Sequence, residues 1–135
     1  MLLTVFLFVC VGLAMEVTFT AVSDFCRDRS PQLRGHTYLW MAISYAAVPL
    51  ILAVVYPPLH ESPIAARLAV YVGLAYTVEY GWGWILRRAT GQCPWDYGRA
   101  RFAVHGLIRL DYLPAWIAAC WMFERLYVEL HGRLG

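Results

Sequence analysis

Four apolar runs of about twenty residues each, the length that crosses a hydrocarbon core, divide the chain, and short segments between them hold most of its charge. The runs cover residues 2–22, 37–56, 64–86 and 112–128. Helices of a soluble domain keep a polar face towards solvent, and these runs have almost no polar face to offer. The sequence therefore predicts an all-α, polytopic membrane protein: a four-helix transmembrane bundle making one integral membrane domain over residues 1–135, placed in the inner membrane of a bacterium. Pro49, inside the second run, is tolerated in a membrane helix, and Pro114 falls in the first turn of the fourth, where a missing N–H costs little.

The chain has neither lysine nor asparagine, so every fixed positive charge is an arginine. That excludes a Walker A phosphate loop and a Schiff base. The formal net charge of +2 is spread over several loops, which argues against a nucleic-acid partner. No basic segment precedes the first run, against a cleavable signal, and the valine before Cys10 fits a lipoprotein acceptor site poorly.

Arg27, Arg29 and Arg34 follow the first run, and Arg87, Arg88, Arg99, Arg101 and Arg109 follow the third, whereas YPPLHESP between the second and third has no basic residue. The positive-inside rule puts both arginine-rich segments in the cytoplasm and both termini outside, with Cys26 and Cys93 as free thiols in a reducing compartment.

Two carboxylates, Glu16 and Glu79, interrupt runs that point the same way, each about 10 Å from the arginine-rich side at 1.5 Å per residue. An ionisable residue at that depth marks a proton, cation or substrate site, or else a hydrogen-bonded spacer. Gly12 and Thr20 flank Glu16 at helical spacing and Ala75 and Gly83 flank Glu79, so both faces suit close helix packing, including packing in a homo-oligomer or larger membrane complex. GLAMEV and GLAYTVEY echo one another, as a parallel two-plus-two repeat would, with the glutamate displaced between them.

The strip over residues 93–111 is read as an interfacial or re-entrant segment between the third and fourth helices. Trp95 and Tyr97 suit the membrane interface, Pro94 and Gly98 bracket a turn, and Arg87, Arg88, Arg99 and Arg101 are placed to contact lipid phosphates. FAVHGLIRL is too apolar for a free loop and too short to cross. Folded back, it would carry His105 or Arg109 towards the glutamates, as further candidates for the substrate or proton site.

The four histidines show no i,i+4 pair and no two cysteines have C-x-x-C spacing, so no metal site or cofactor is assigned. No catalytic set is assigned either. An enzyme acting on a lipid stays open as an alternative, with Glu16, Glu79, Asp96 and His105 as its acid–base groups, although an aspartate after Pro94 more often caps a turn.

EVTFTAVSDF, LWMAISYAAVPLIL and, above all, EYGWGWILRRATGQCPWDYGRARFAVHGLIRLDYLPAWIAACWMFE resemble the transmembrane protein 229 family and its bacterial relatives, the CmpB-type family of ABC-transporter type IV permeases. The most specific matching positions are Glu79, Cys93, Pro94, Trp95, Asp96, Tyr97, Gly106, Leu107, Ile108, Leu110, Asp111 and Tyr112. Many bacterial relatives carry Gly-Arg-Ile where this chain has Gly106-Leu107-Ile108, so no family role passes to Arg109. The resemblance implies a four-span membrane protein and little chemistry; the leading expectation is a permease-like or channel-like transport protein or subunit among membrane lipids, which if energy-coupled would need a separate ATPase subunit. A structural or assembly subunit of a membrane complex is the further alternative.

Overall fold

In a computed structural model of the chain, which describes residues 1–134 and of residues 133 and 134 only the backbone, the described part is mostly helical. Its four α-helices are α1 (Leu2–Asp28), α2 (Met41–Leu59), α3 (Ile64–Thr90) and α4 (Leu113–Leu134). α1 and α2 are long and apolar enough to cross a membrane. The chain divides into two compact units, Met1–Ile51 and Leu52–Gly135.

In the first unit α1 runs past its apolar stretch and stops where Arg29 turns left-handed, φ 55°, its N–H bonding the Phe25 carbonyl at 2.8 Å. Pro31 follows at once, as it commonly does after a helix end. The connection then folds back along α1. Thr20 Oγ1 both donates to the His36 carbonyl (2.9 Å) and accepts from the His36 N–H (2.8 Å), and Gly35 lies so close to the Val17 backbone that a β-carbon there would overlap it.

The second unit is built on α3. Pro63, extended and just outside the helix, offers its carbonyl to the N–H groups of Ala66 and Arg67, and Gly91, φ 84°, closes the other end with its N–H on the Arg87 carbonyl. A left-handed terminator of this kind is where glycine carries no Cβ penalty. Beyond it the strip is a small antiparallel hairpin, β1 (Ala103–Val104) and β2 (Ile108–Arg109), with Ala103 opposite Arg109 and Val104 opposite Ile108. His105 and Gly106 make its turn, both left-handed at φ 52° and 71°. Two successive positive φ values suit the right-handed twist of a short hairpin, and glycine takes one of them without strain. A 3-10 turn over Leu110–Tyr112 then leads into α4.

The hairpin is the one departure from an all-helical chain among the described residues, and it is held by its contact with α3. Leu107, 1% exposed, packs on Gly83 together with Cys93 and Trp95, whose side-chain atoms stand 3.0–3.3 Å from where a Gly83 β-carbon would be. The small residue at 83 is thus used within the chain, to seat the strip. Gly12 is used in the same way in the first unit, where the Tyr45 ring covers it.

Candidate functional site

The strip lies along the second half of α3, and a ladder of polar contacts fixes it there. The Tyr76 hydroxyl donates to the carbonyls of Arg109 (3.1 Å) and Leu110 (3.3 Å), Tyr80 and His105 Nδ1 share a hydrogen bond of 2.8 Å, and Arg87 Nη2 donates to the His105 carbonyl at 3.0 Å. Tyr76, Tyr80, Gly83 and Arg87 follow one another at three- and four-residue steps, so a single face of α3 carries the ladder. Arg87 therefore braces the hairpin turn, a role its sequence position beside Arg88 did not reveal. Arg88 remains exposed, its guanidinium 4.9 Å above the Trp84 ring.

The motif residues are mostly occupied in holding this fold. Trp95 Nε1 donates to the Leu107 carbonyl at 3.1 Å, and the Tyr97 N–H to that of Gly106 at 3.0 Å. Asp96 Oδ1 accepts from the Gly98 N–H at 2.8 Å, the turn-capping use of an aspartate. The same oxygen would stand 2.6 Å from a β-carbon at Gly106, so close approach and positive φ both require glycine there. Cys93 is buried with its Sγ 3.5 Å from the Trp95 carbonyl, and burial pushes its thiol pKa up. All four cysteines are free thiols, but only Cys10 and Cys26 are exposed, so Cys93 reports the packing of the strip and not the side of the membrane it faces.

What remains is a polar centre around Glu79. Its side chain is on α3, the residue is 8% exposed, and Oε1 accepts from the Tyr97 hydroxyl at 2.8 Å. The Tyr97 ring meets Tyr112 edge-on, centroids 5.7 Å apart. Arg109 lies 4.3 Å above the Tyr112 ring, donates from Nη1 to its hydroxyl (3.0 Å) and from Nε to Asp111 Oδ1 (3.0 Å), and bonds the second Asp111 oxygen through Nη2. The guanidinium beside it holds the Asp111 carboxyl below the ordinary carboxylate range. Glu79, Tyr97 and the Arg109–Tyr112 segment, distant from one another in sequence, are thus linked by a relay of contacts.

Glu16 sits in the other unit, half-buried, with Oε2 accepting from Thr37 Oγ1 (2.8 Å) and the Tyr45 hydroxyl (3.2 Å). Hydroxyl donors therefore meet both glutamates that interrupt the apolar runs.

A third acid was not singled out in the sequence. Glu124 of α4 is buried and holds Arg67 of α3 in a two-pronged ion pair, Nε to Oε2 at 2.9 Å and Nη2 to Oε1 at 2.8 Å. Arg67 Nη1 also donates to the Ser62 carbonyl at 2.7 Å, tying the α2–α3 turn to the pair. The available signal was a lone glutamate inside ACWMFERLYV and a lone arginine near the start of the preceding run. Opposite charges on adjacent antiparallel helices in lipid are candidates for one another.

Among the described residues no group of histidines, cysteines and acids is arranged to hold a metal ion. A family model described as "Putative ABC-transporter type IV" matches residues 3–133. No solved structure matches the chain.

Proposed function

The chain belongs to that ABC-transporter type IV family, and from this premise we propose that it is a four-span, permease-like membrane subunit with Glu79 and the strip at its working centre. Family and apolar helices together make it a membrane transport-related protein. The observation that carries the finer reading is the Arg67–Glu124 pair. α3 and α4 have charged residues inside their apolar runs, Arg67 and Glu79 in one and Glu124 and Arg125 in the other, and in lipid a charge is tolerated when it faces a partner inside the bundle. A two-pronged pair joining those two helices is that arrangement, and it supports α3 and α4 as spans.

The ladder from Tyr76 to Arg109 supports a re-entrant strip. Tyr76 lies about 20 Å back from the end of α3 at 1.5 Å per residue, so the strip returns deep along the helix before α4 begins. Its irregular backbone is tolerable at that depth because α3 side chains satisfy it. Glu16 and Glu79, each on hydroxyl donors, are the proton, cation or substrate groups of this reading, and a separate ATPase subunit supplies the energy. The lipid-enzyme alternative has less support, since Asp96 and His105, two of its acid–base groups, are engaged in holding the strip.

Topology and coupling test it together. With the exposed Cys10 and Cys26 replaced by serine, Glu61→Cys and Arg99→Cys should react with an impermeant maleimide from opposite faces of the membrane. Protein drawn from its native membrane in mild detergent should carry an ATPase at fixed stoichiometry and drive ATP-dependent solute flux in proteoliposomes. Labelling of both positions from one face would remove α3 as a span and with it the four-span count; flux without nucleotide would remove the ATPase.

A further inference from the structure

Each glutamate of the apolar runs is met by a hydroxyl from the connection that follows its own helix, Thr37 on Glu16 and Tyr97 on Glu79. The resemblance between the two units goes further. α1 and α3 are both 27 residues long, both stop at a left-handed residue, Arg29 or Gly91, and the connections turn left-handed again at Leu33 and Gly98. What holds the two connections down differs. The strip buries Cys93, Trp95, Leu107 and Ile108, whereas no residue over 29–40 is buried. α1 holds that shorter connection through the two Thr20–His36 bonds, the Thr37–Glu16 bond and the close seat of Gly35 on the Val17 carbonyl. A segment with few buried apolar groups opens locally at far lower cost than the unit around it.

Resting on the transport reading of Glu16, we propose that residues 29–40 are a releasable strap that gates access to this carboxylate, and that the strip over Glu79 is its fixed counterpart. Glu16 Oε2 accepts from both Thr37 and Tyr45, so whatever reaches that oxygen must displace one of the two hydroxyls. Tyr45 is the harder to move, since it belongs to α2, is 9% exposed and lays its ring over Gly12. Thr37 can leave with the strap, between the left-handed stop at Arg29 and the start of α2 at Met41. The cost of opening is polar. The His36 backbone groups and the Thr37 hydroxyl exchange protein partners for water, a replacement that costs little per bond. Lifting the strip would instead bring Leu107 and Trp95 into contact with solvent, which the hydrophobic effect opposes.

The test combines hydrogen exchange of the detergent-purified full chain with labelling of its carboxyls by a water-soluble carbodiimide and glycinamide, both read by mass spectrometry. Amides of residues 33–40 should exchange at least about tenfold faster than those of residues 103–110. Thr20→Val removes both His36 bonds without touching Glu16. It should raise strap exchange and Glu16 labelling together, each about tenfold, with the exposed Glu61 as internal reference. Thr37→Val should do the same, and Thr37→Ser, which keeps the donor, should stay within about threefold of wild type. Melting temperatures identify any variant that fails to fold, and the wild-type comparison of strap with strip stands without variants. Strap amides as slow as those of the strip, exchange unmoved by both valine variants, or faster exchange in Thr20→Val with no gain in Glu16 labelling would overturn the proposal. ATP-driven flux in proteoliposomes with Glu16 labelling unmoved overturns the gate and leaves the transport reading standing. Gated labelling with no flux in ATPase-containing proteoliposomes supports the strap and removes the transport reading.

Discussion

The two ends of the α3–α4 unit treat a buried carboxylate in opposite ways. At one, Glu124 meets a guanidinium that spends two donors on its two oxygens and a third on the Ser62 carbonyl. At the other, Glu79 meets the phenol of Tyr97, and the strip guanidinium of Arg109 is engaged with Asp111 and Tyr112. A two-pronged pair fixes protonation and geometry together, since neither partner can change charge without stranding the other. A phenol can donate to a carboxylate or accept from a carboxylic acid, so the Tyr97 contact survives a change of charge at Glu79. The first arrangement suits a joint between helices, and the second suits a group whose charge state is used.

The sharpest way to break this contrast is at the joint. Glu124→Gln leaves the Arg67 guanidinium without its counter-charge and should cost about 3 kcal/mol, read by thermal or SDS denaturation in detergent. The double variant Arg67→Met, Glu124→Leu should recover most of that loss, because two apolar groups strand no charge. A single variant as stable as wild type would mean the pair is no joint.

Gly83→Leu comes next. The new side chain would run into Leu107, Cys93 and Trp95, costing about 1–3 kcal/mol or lifting the strip. Accelerated alkylation of Cys93, whose thiol is buried in wild type, would report the lifting directly. Unchanged alkylation together with unchanged stability would count against the seat.

At the Glu79 end the expected losses of stability are smaller. Tyr97→Phe takes a donor from a buried carboxylate and should cost about 1–2 kcal/mol. Glu79→Gln keeps the shape and an acceptor for Tyr97, so it should change stability by less than about 1 kcal/mol while abolishing solute movement. Full transport in the glutamine variant would make Glu79 a joint as well and erase the difference between the two ends.

The smallest effect belongs to Asp111, which is partly exposed. Its folded pKa is depressed by Arg109, so its contribution is fully present above the unfolded value near 3.8 and is lost as pH falls through the lower folded value. Stability curves of wild type and Asp111→Asn should therefore run parallel above that pH and converge below it. A constant gap down to the most acidic pH at which the protein folds would show that the ion pair contributes nothing that depends on charge.

Parts of the candidate site are legible in the sequence. Glu79 stood out because a carboxylate in an apolar run needs a reason, and FAVHGLIRL because it is too apolar for a loop and too short to cross. The hairpin within that stretch was not legible. Two paired residues per strand carry no periodic signal, and the pairing depends on a left-handed histidine that local preference alone would not select. Arg87 was read with its neighbour as a lipid contact, since nothing in RR distinguishes the side chain that turns inward.

Run length, the absence of lysine and the placement of arginine are properties of the chain alone, and they determined a helical membrane protein and the class of chemistry open to it. Partnership was decided by the tertiary structure. Glu124 and Arg67 are separated by 57 positions, and Tyr97 reaches Glu79 across 18. Apolar periodicity says which residues share a face, but whether an acid on that face meets a guanidinium or a phenol depends on which helix or strip folds against it.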